Sequence, residues 1–140
     1  MNNNLTIANL MKTDWINQFE NLQLNEIKEG LKDNLNVSLY ATTDFNWKQM
    51  KQIRFGLKRK LNVSFYATNK FTSLQMEEIR LGLEKKLNVS IYANPIFTGE
   101  QMQQIRLGLE ENLEVSIYAN PKYSWKEMNN FRLRLEEGTL

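Results

Sequence analysis

The chain has 140 residues, 41% of them hydrophobic and 24% charged, and its 18 Lys plus Arg against 16 Asp plus Glu leave a net charge of +2. That balance fits an ordinary globular domain, too apolar for a disordered chain and too weakly charged to imply nucleic acid or an acidic DNA mimic by itself. With no Cys and no His, disulfides, thiolate nucleophiles, Cys-rich zinc sites and the commonest general base are excluded.

The opening MNNNLTIANLMKTDW has neither the basic region nor the apolar core of a secretory signal, and no apolar run approaches the roughly 18 residues of a membrane span. A single cytoplasmic repeat domain over residues 1–140 is therefore expected, with no membrane association. Three Asn-Val-Ser triplets, beginning at Asn36, Asn62 and Asn88, match a glycosylation sequon, but without a secretion signal they read as structural.

The glycines expose the organisation. Gly30, Gly56, Gly82 and Gly108 stand 26 residues apart, and the same step links Ile27, Ile53, Ile79, Ile105 and Phe131. It also links Leu24 to Met50, Met76, Met102 and Met128, and Phe19 to Phe45, Phe71, Phe97 and Tyr123. Val37, Val63, Val89 and Val115 each precede a Tyr-Ala pair at Tyr40, Tyr66, Tyr92 and Tyr118. The units are approximately 1–44, 45–70, 71–96, 97–122 and 123–140. Such a period marks a solenoid, in which each unit buries its apolar face against the next and the end copies degenerate. Before Leu35 the first copy lacks the Met and Arg columns, and the last has Arg134 in place of glycine.

Within a unit, Met50, Ile53, Leu57 and Leu61 fall at offsets 0, 3, 7 and 11, the stripe of an amphipathic helix from about residue 47 to 61. Its start carries a capping-box signature in Asn46 with Gln49, Thr72 with Gln75, Thr98 with Gln101 and Ser124 with Glu127. The following Val-Ser-x-Tyr-Ala segment is either a short helix, capped by Asn62 or Asn88 and ended by Asn94-Pro95 or Asn120-Pro121, or a strand in a parallel ladder. The helical reading is favoured because one residue between Leu61 and Val63 suits a tight corner. The expected fold is thus an all-α solenoid of about five units, each a long helix plus a short one, with an α/β solenoid carrying one short strand per unit as the alternative. A glycine repeated inside a helix costs roughly 1 kcal/mol per copy against alanine. Close approach of a neighbouring unit, through its Phe/Tyr aromatic column, is the expected compensation.

The strings Gln-Met-Gln-Gln-Ile-Arg-Leu-Gly-Leu-Glu at 101–110 and Val-Ser-Ile-Tyr-Ala-Asn-Pro-Lys-Tyr at 115–123 resemble short helical repeats in phage and conjugative-element proteins of Gram-positive bacteria. The resemblance covers about residues 19–137, although related copies often have Gly-Leu-Asp before the Val-Ser where this chain has Lys-Leu-Asn or Asn-Leu-Glu. It implies an adaptor or an inhibitor of a host defence system, such as an anti-CRISPR protein, and it supplies no catalytic residue. That inference is by association.

The arginine column Arg54, Arg80, Arg106 and Arg132 reads either as a ladder for phosphates or an acidic partner, or as intrahelical pairs with Glu84, Glu110 and Glu136 four residues on. The pairs are favoured. In the second unit Lys48, Lys51, Arg54, Lys58, Arg59 and Lys60 form a basic patch, the candidate for nucleic acid. The tyrosine column reads as core rather than as a base-stacking platform. Trp47 and Trp125 occupy a column that holds Ser73 and Gly99 in other copies; they are either exposed partner contacts or staples over the helix start. Glu77-Glu78 and Glu110-Glu111 read as solvated surface, without the clustering a metal or acid-base pair needs. The expected function is a non-enzymatic protein-binding module with no cofactor or metal. Its partner contacts are Trp47, Trp125, Arg54, Arg80, Arg106 and Arg132, and nucleic-acid binding through Lys48, Lys51, Lys58, Arg59 and Lys60 is the alternative.

Overall fold

A computed structural model describes residues 4–140; the first three residues of the expected 1–44 unit and of the opening sequence lie outside it. Among the described residues every regular element is helical. The α-helices are α1 (Asn4–Leu10), α2 (Asn21–Lys32), α3 (Trp47–Lys58), α4 (Ser73–Glu84), α5 (Gly99–Glu110) and α6 (Trp125–Glu137). A single 3-10 turn follows each of α2 to α5, at Val37–Leu39, Val63–Phe65, Val89–Ile91 and Val115–Ile117, and another spans Asp14–Gln18. The Val-Ser-x-Tyr-Ala segment is therefore helical, and no strand is present among the described residues.

Two compact units result, one ending at Met76 and the other covering Glu77–Leu140, with the division inside α4. In the first unit α2 packs on α3, and in the second α5 packs on α6. Each has a core of the repeated columns: Ile27, Val37, Tyr40, Met50, Ile53 and Tyr66 in the first, and Ile79, Tyr92, Met102, Ile105, Tyr118 and Met128 in the second.

The helix starts follow the capping pattern. Asn46 Oδ1 accepts from the Gln49 N–H at 2.8 Å and Gln49 Oε1 accepts from the Asn46 N–H at 2.8 Å, with equivalent pairs at Thr72/Gln75, Thr98/Gln101 and Ser124/Glu127. The glutamine has a second task that the sequence did not disclose. Its amide donates to the aromatic carbonyl that begins the next copy: Gln23 Nε2 to Phe45 O at 2.8 Å, Gln49 to Phe71 at 2.7 Å and Gln101 to Tyr123 at 2.7 Å. One buried side chain thus caps its own helix and fixes the following repeat.

The helices end earlier than the apolar stripe suggests. α3 stops at Lys58 rather than 61, because Lys60 turns left-handed at φ 59° and the chain reverses. The Leu61 N–H then donates to Gly56 O at 2.9 Å and the Lys60 N–H to Leu57 O at 3.0 Å, the paired bonds of a Schellman motif. Asn34, Lys86 and Asn112 do the same after α2, α4 and α5, and Gly138 after α6.

The helical glycines have a different neighbour from the one expected. A Cβ on Gly56 would lie 2.2 Å from Tyr66 Oη and 2.6 Å from Val63 Cγ1, and the other three glycines meet their own Tyr and Val in the same way. The crowding group is thus the tyrosine ten residues on, within the same repeat, and not an aromatic of the neighbouring unit. Each tyrosine hydroxyl donates at 2.6 Å to a carbonyl inside the long helix, at Glu26, Gln52, Glu78 or Gln104. The corner closes only if the helix has no side chain where that hydroxyl passes. The fifth copy, whose sequence contains no such tyrosine, has Arg134 at this position.

The short turn ends at its tyrosine in every copy, whether or not Asn-Pro follows. Asn94 and Asn120 instead shape the next bend, accepting from the N–H groups of Ile96 and Lys122 at 3.0 Å, and Thr42 and Thr68 do this in the earlier copies. In the three Asn-Val-Ser triplets the asparagine oxygen accepts from the serine hydroxyl, at 2.6 Å from Ser38 and 2.5 Å from Ser64 and Ser90. Only Asn62 also takes the Ser64 N–H, at 3.2 Å.

Candidate binding surface

The column of tyrosines is fully buried, so it is core and cannot stack on a ligand. Burial raises the phenol pKa of Tyr40, Tyr92 and Tyr118 well above the ordinary tyrosine range, which keeps each hydroxyl protonated as the donor to its helix carbonyl.

The arginine side chains retain only 9 to 13% of their accessibility. The intrahelical pairs read from the spacing are present: Arg80 meets Glu84 at 2.6 Å, Arg106 meets Glu110 at 3.0 Å, and Arg132 pairs with Glu136. A second set of partners comes from the preceding copy, 28 residues back. Arg54 Nε donates to Glu26 at 2.6 Å, Arg106 Nε to Glu78 at 2.7 Å, and Arg132 Nε to Gln104 at 3.0 Å. Glu78 is accordingly buried beside Arg106 rather than solvated, and burial, outweighing the hydrogen bond and charge of Arg106, pushes its carboxyl above the usual range. The acceptor column Glu26, Gln52, Glu78, Gln104 is visible in the sequence. Its link to the arginines is not, because the step is one repeat plus two residues and that offset is a property of the packing.

Of the basic patch, Arg54 is held by Glu26 and Lys58 reaches Asp33 at 3.1 Å. Lys58 therefore replaces the usual glutamate by pairing backward to the preceding copy. Lys48 and Lys51 place their ammonium groups 5.7 and 5.9 Å from the Trp47 ring centre, while Arg59 and Lys60 are exposed. Trp47 is half-buried; Trp125 is 43% exposed, with Lys126 5.7 Å from its ring centre. Trp47 belongs to the first unit and Trp125 to the second.

An exposed apolar column escaped the sequence reading. Leu39 and Phe65 in the first unit, and Ile91 and Ile117 in the second, are 39 to 44% exposed. They fill the variable position of Val-Ser-x-Tyr, so the 3-10 turn that sends its Val and Tyr inward sends this residue outward. The signal was present: x is Leu, Phe, Ile, Ile, never polar at a site the core does not use. Beside Leu39 lies a groove of about 430 Å³ floored by Leu57, Leu61 and Ala67 with Asn62 and Ser64 at its lip.

No group of three or more Asp or Glu side chains able to hold a metal occurs among the described residues, and none of their helices is long and apolar enough to cross a membrane. Comparison with family models, curated proteins and solved structures finds no match to the chain.

Proposed function

We propose that the chain is a non-enzymatic protein-binding repeat module, in its most specific form a phage or mobile-element protein that inhibits a host defence nuclease such as a CRISPR-Cas complex. The specific form rests on the resemblance of the repeats. The general form is carried by one observation: a bulky apolar residue exposed at the same point of four consecutive repeats, at Leu39, Phe65, Ile91 and Ile117. Exposed apolar side chains are ordinary when scattered, but a bulky apolar residue set outward at the same point of consecutive repeats within each unit is what a partner surface requires.

The arginine column supports this reading over nucleic-acid binding, since its guanidinium groups are engaged by carboxylates and an amide of the same chain. Lys58 is likewise matched by Asp33.

The test is capture from a Gram-positive host lysate by the full chain, by a Phe65→Ser/Ile117→Ser variant and by a Trp47→Ala/Trp125→Ala variant. A specific protein retained by the wild type and lost with either pair is the expected result. Retention of nucleic acid alone, or of no specific protein, would overturn the reading, and a captured defence nuclease whose activity is unaffected would overturn its specific form.

A further inference from the structure

We infer that the face of α6 bearing Glu127, Asn130, Phe131 and Arg134 is a self-association surface, on which two copies of the chain pack α6 against α6 in an antiparallel, two-fold arrangement. The face is defined by its counterpart one repeat earlier in the second unit. There Gln101 donates to Tyr123 O, Gln104 accepts from Arg132, Ile105 is fully buried and Gly108 lies against the Tyr118 hydroxyl. The residues 26 positions on are Glu127, Asn130, Phe131 and Arg134. They line a pocket of about 170 Å³ in place of a packed seam, with Phe131 half-buried and the other three exposed. A further repeat does not suit this face. Glu127 has no amide hydrogen for an incoming carbonyl, and Arg134 stands where glycine admits the tyrosine hydroxyl.

What the face offers is one carboxylate and one guanidinium, seven residues apart, on either side of an aromatic ring. Glu127 Oε1 accepts from the Ser124 N–H at 3.0 Å and Arg134 Nη2 donates to Thr139 O at 3.2 Å. Both are bonds to backbone, and among the described residues neither side chain is in an ion pair. The Phe131 ring between them is held from behind by Tyr118 and Tyr123, at 6.5 and 4.9 Å between ring centres. Seven residues are close to two helical turns, so the two charges share one stripe and lie about 10 Å apart along it. Their midpoint falls between Asn130 and Phe131. A two-fold axis through that point sets Glu127 opposite the partner's Arg134 and Arg134 opposite the partner's Glu127, with the two Phe131 rings near the centre. This is the isologous pattern, in which residue i meets j and j meets i. The charge pattern is complementary to its own reverse, whereas a partner of uniform charge meets like charge at one end.

Sedimentation equilibrium of the purified full-length chain over a range of concentrations tests this. It needs no outside partner, so its outcome is independent of the lysate capture. The wild type is expected to approach twice the monomer mass reversibly. Arg134→Glu and Glu127→Arg, each checked for helix by circular dichroism, should each weaken dimerisation at least about tenfold, because each places two like-charge pairs in the symmetric interface. Mixing these two variants should restore association as a heterodimer, and Glu127→Arg/Arg134→Glu together should restore self-association, since both put opposite charges back in register. Arg134→Glu touches no helix cap, so it decides the single-reversal arm by itself if Glu127→Arg unfolds. A wild type that stays monomeric up to about 1 mM, assemblies that grow beyond the dimer, a dimer indifferent to Arg134→Glu, or folded single variants that fail to associate when mixed would each overturn the inference.

Discussion

At Gly82 a Cβ would lie 2.1 Å from Tyr92 Oη and 2.7 Å from Val89 Cγ1, both anchored groups of the repeat's own corner. Gly82→Ala should therefore destabilise the protein by about 2–3 kcal/mol although alanine is the better helix former, combining overpacking with strain on the Tyr92 hydrogen bond. Tyr92→Phe alone should cost about 1 kcal/mol, and the double variant should lose less than the sum, because the hydroxyl clash is gone while Val89 remains. Urea unfolding of the four proteins decides this, and additive losses would show that the hydroxyl is not the obstacle. Glu78 supplies a pH signature at the same scale. Its carboxyl is raised by burial despite Arg106, so it holds its proton more tightly folded than unfolded. Its contribution is full below the ordinary carboxylate range and is lost as pH rises through the raised value. Glu78→Gln removes the titration and leaves an acceptor for Arg106, as Gln104 does for Arg132. The stability of Glu78→Gln relative to wild type should thus grow as pH rises above the ordinary carboxylate range; a constant or shrinking difference would count against the buried, destabilised carboxylate.

Helices α2 and α3 in the first unit and α5 in the second are tied at their starts to the copy that follows and at their ends to their own corners. The tie at the start is the capping-box glutamine, whose oxygen satisfies the helix cap and whose amide reaches the next copy's carbonyl. Gln49→Glu keeps the acceptor and deletes the donor, placing a carboxylate oxygen against Phe71 O. A loss of about 1–3 kcal/mol in urea unfolding is expected, against little change for Glu127→Gln in the last copy, where the sequence already has the acceptor-only residue. Equal effects at the two positions would remove the inter-repeat role from the glutamine.

For the molecule as a whole, the net charge of +2 and the internal matching of Arg54 and Lys58 leave few cations to displace counterions from DNA. Binding to duplex DNA should be weak, with a salt dependence corresponding to no more than about three neutralised phosphates. A steeper slope, abolished by Lys51→Glu/Lys58→Glu/Arg59→Glu, would restore the nucleic-acid reading.

The sequence by itself determined the period, the long helices, the capping boxes and the buried columns, since all of these follow from local propensity and from side-chain identity repeated at a fixed step, whereas the choice between helix and strand for Val-Ser-x-Tyr-Ala was made by the structure. Only the tertiary structure decided which copy's residue meets which. The Arg54–Glu26 and Arg106–Glu78 pairs, and the Gln49 bond to Phe71, depend on the offset between packed helices, which periodicity leaves undefined. It also decided that the glycine makes room for its own repeat's tyrosine, because the helix ends at Lys58, three residues before the apolar stripe runs out, and the chain reverses at a left-handed Lys60. The direction in which Leu39 and Phe65 point was settled in the same way: a single 3-10 turn buries the flanking Val and Tyr and leaves the residue between them facing water.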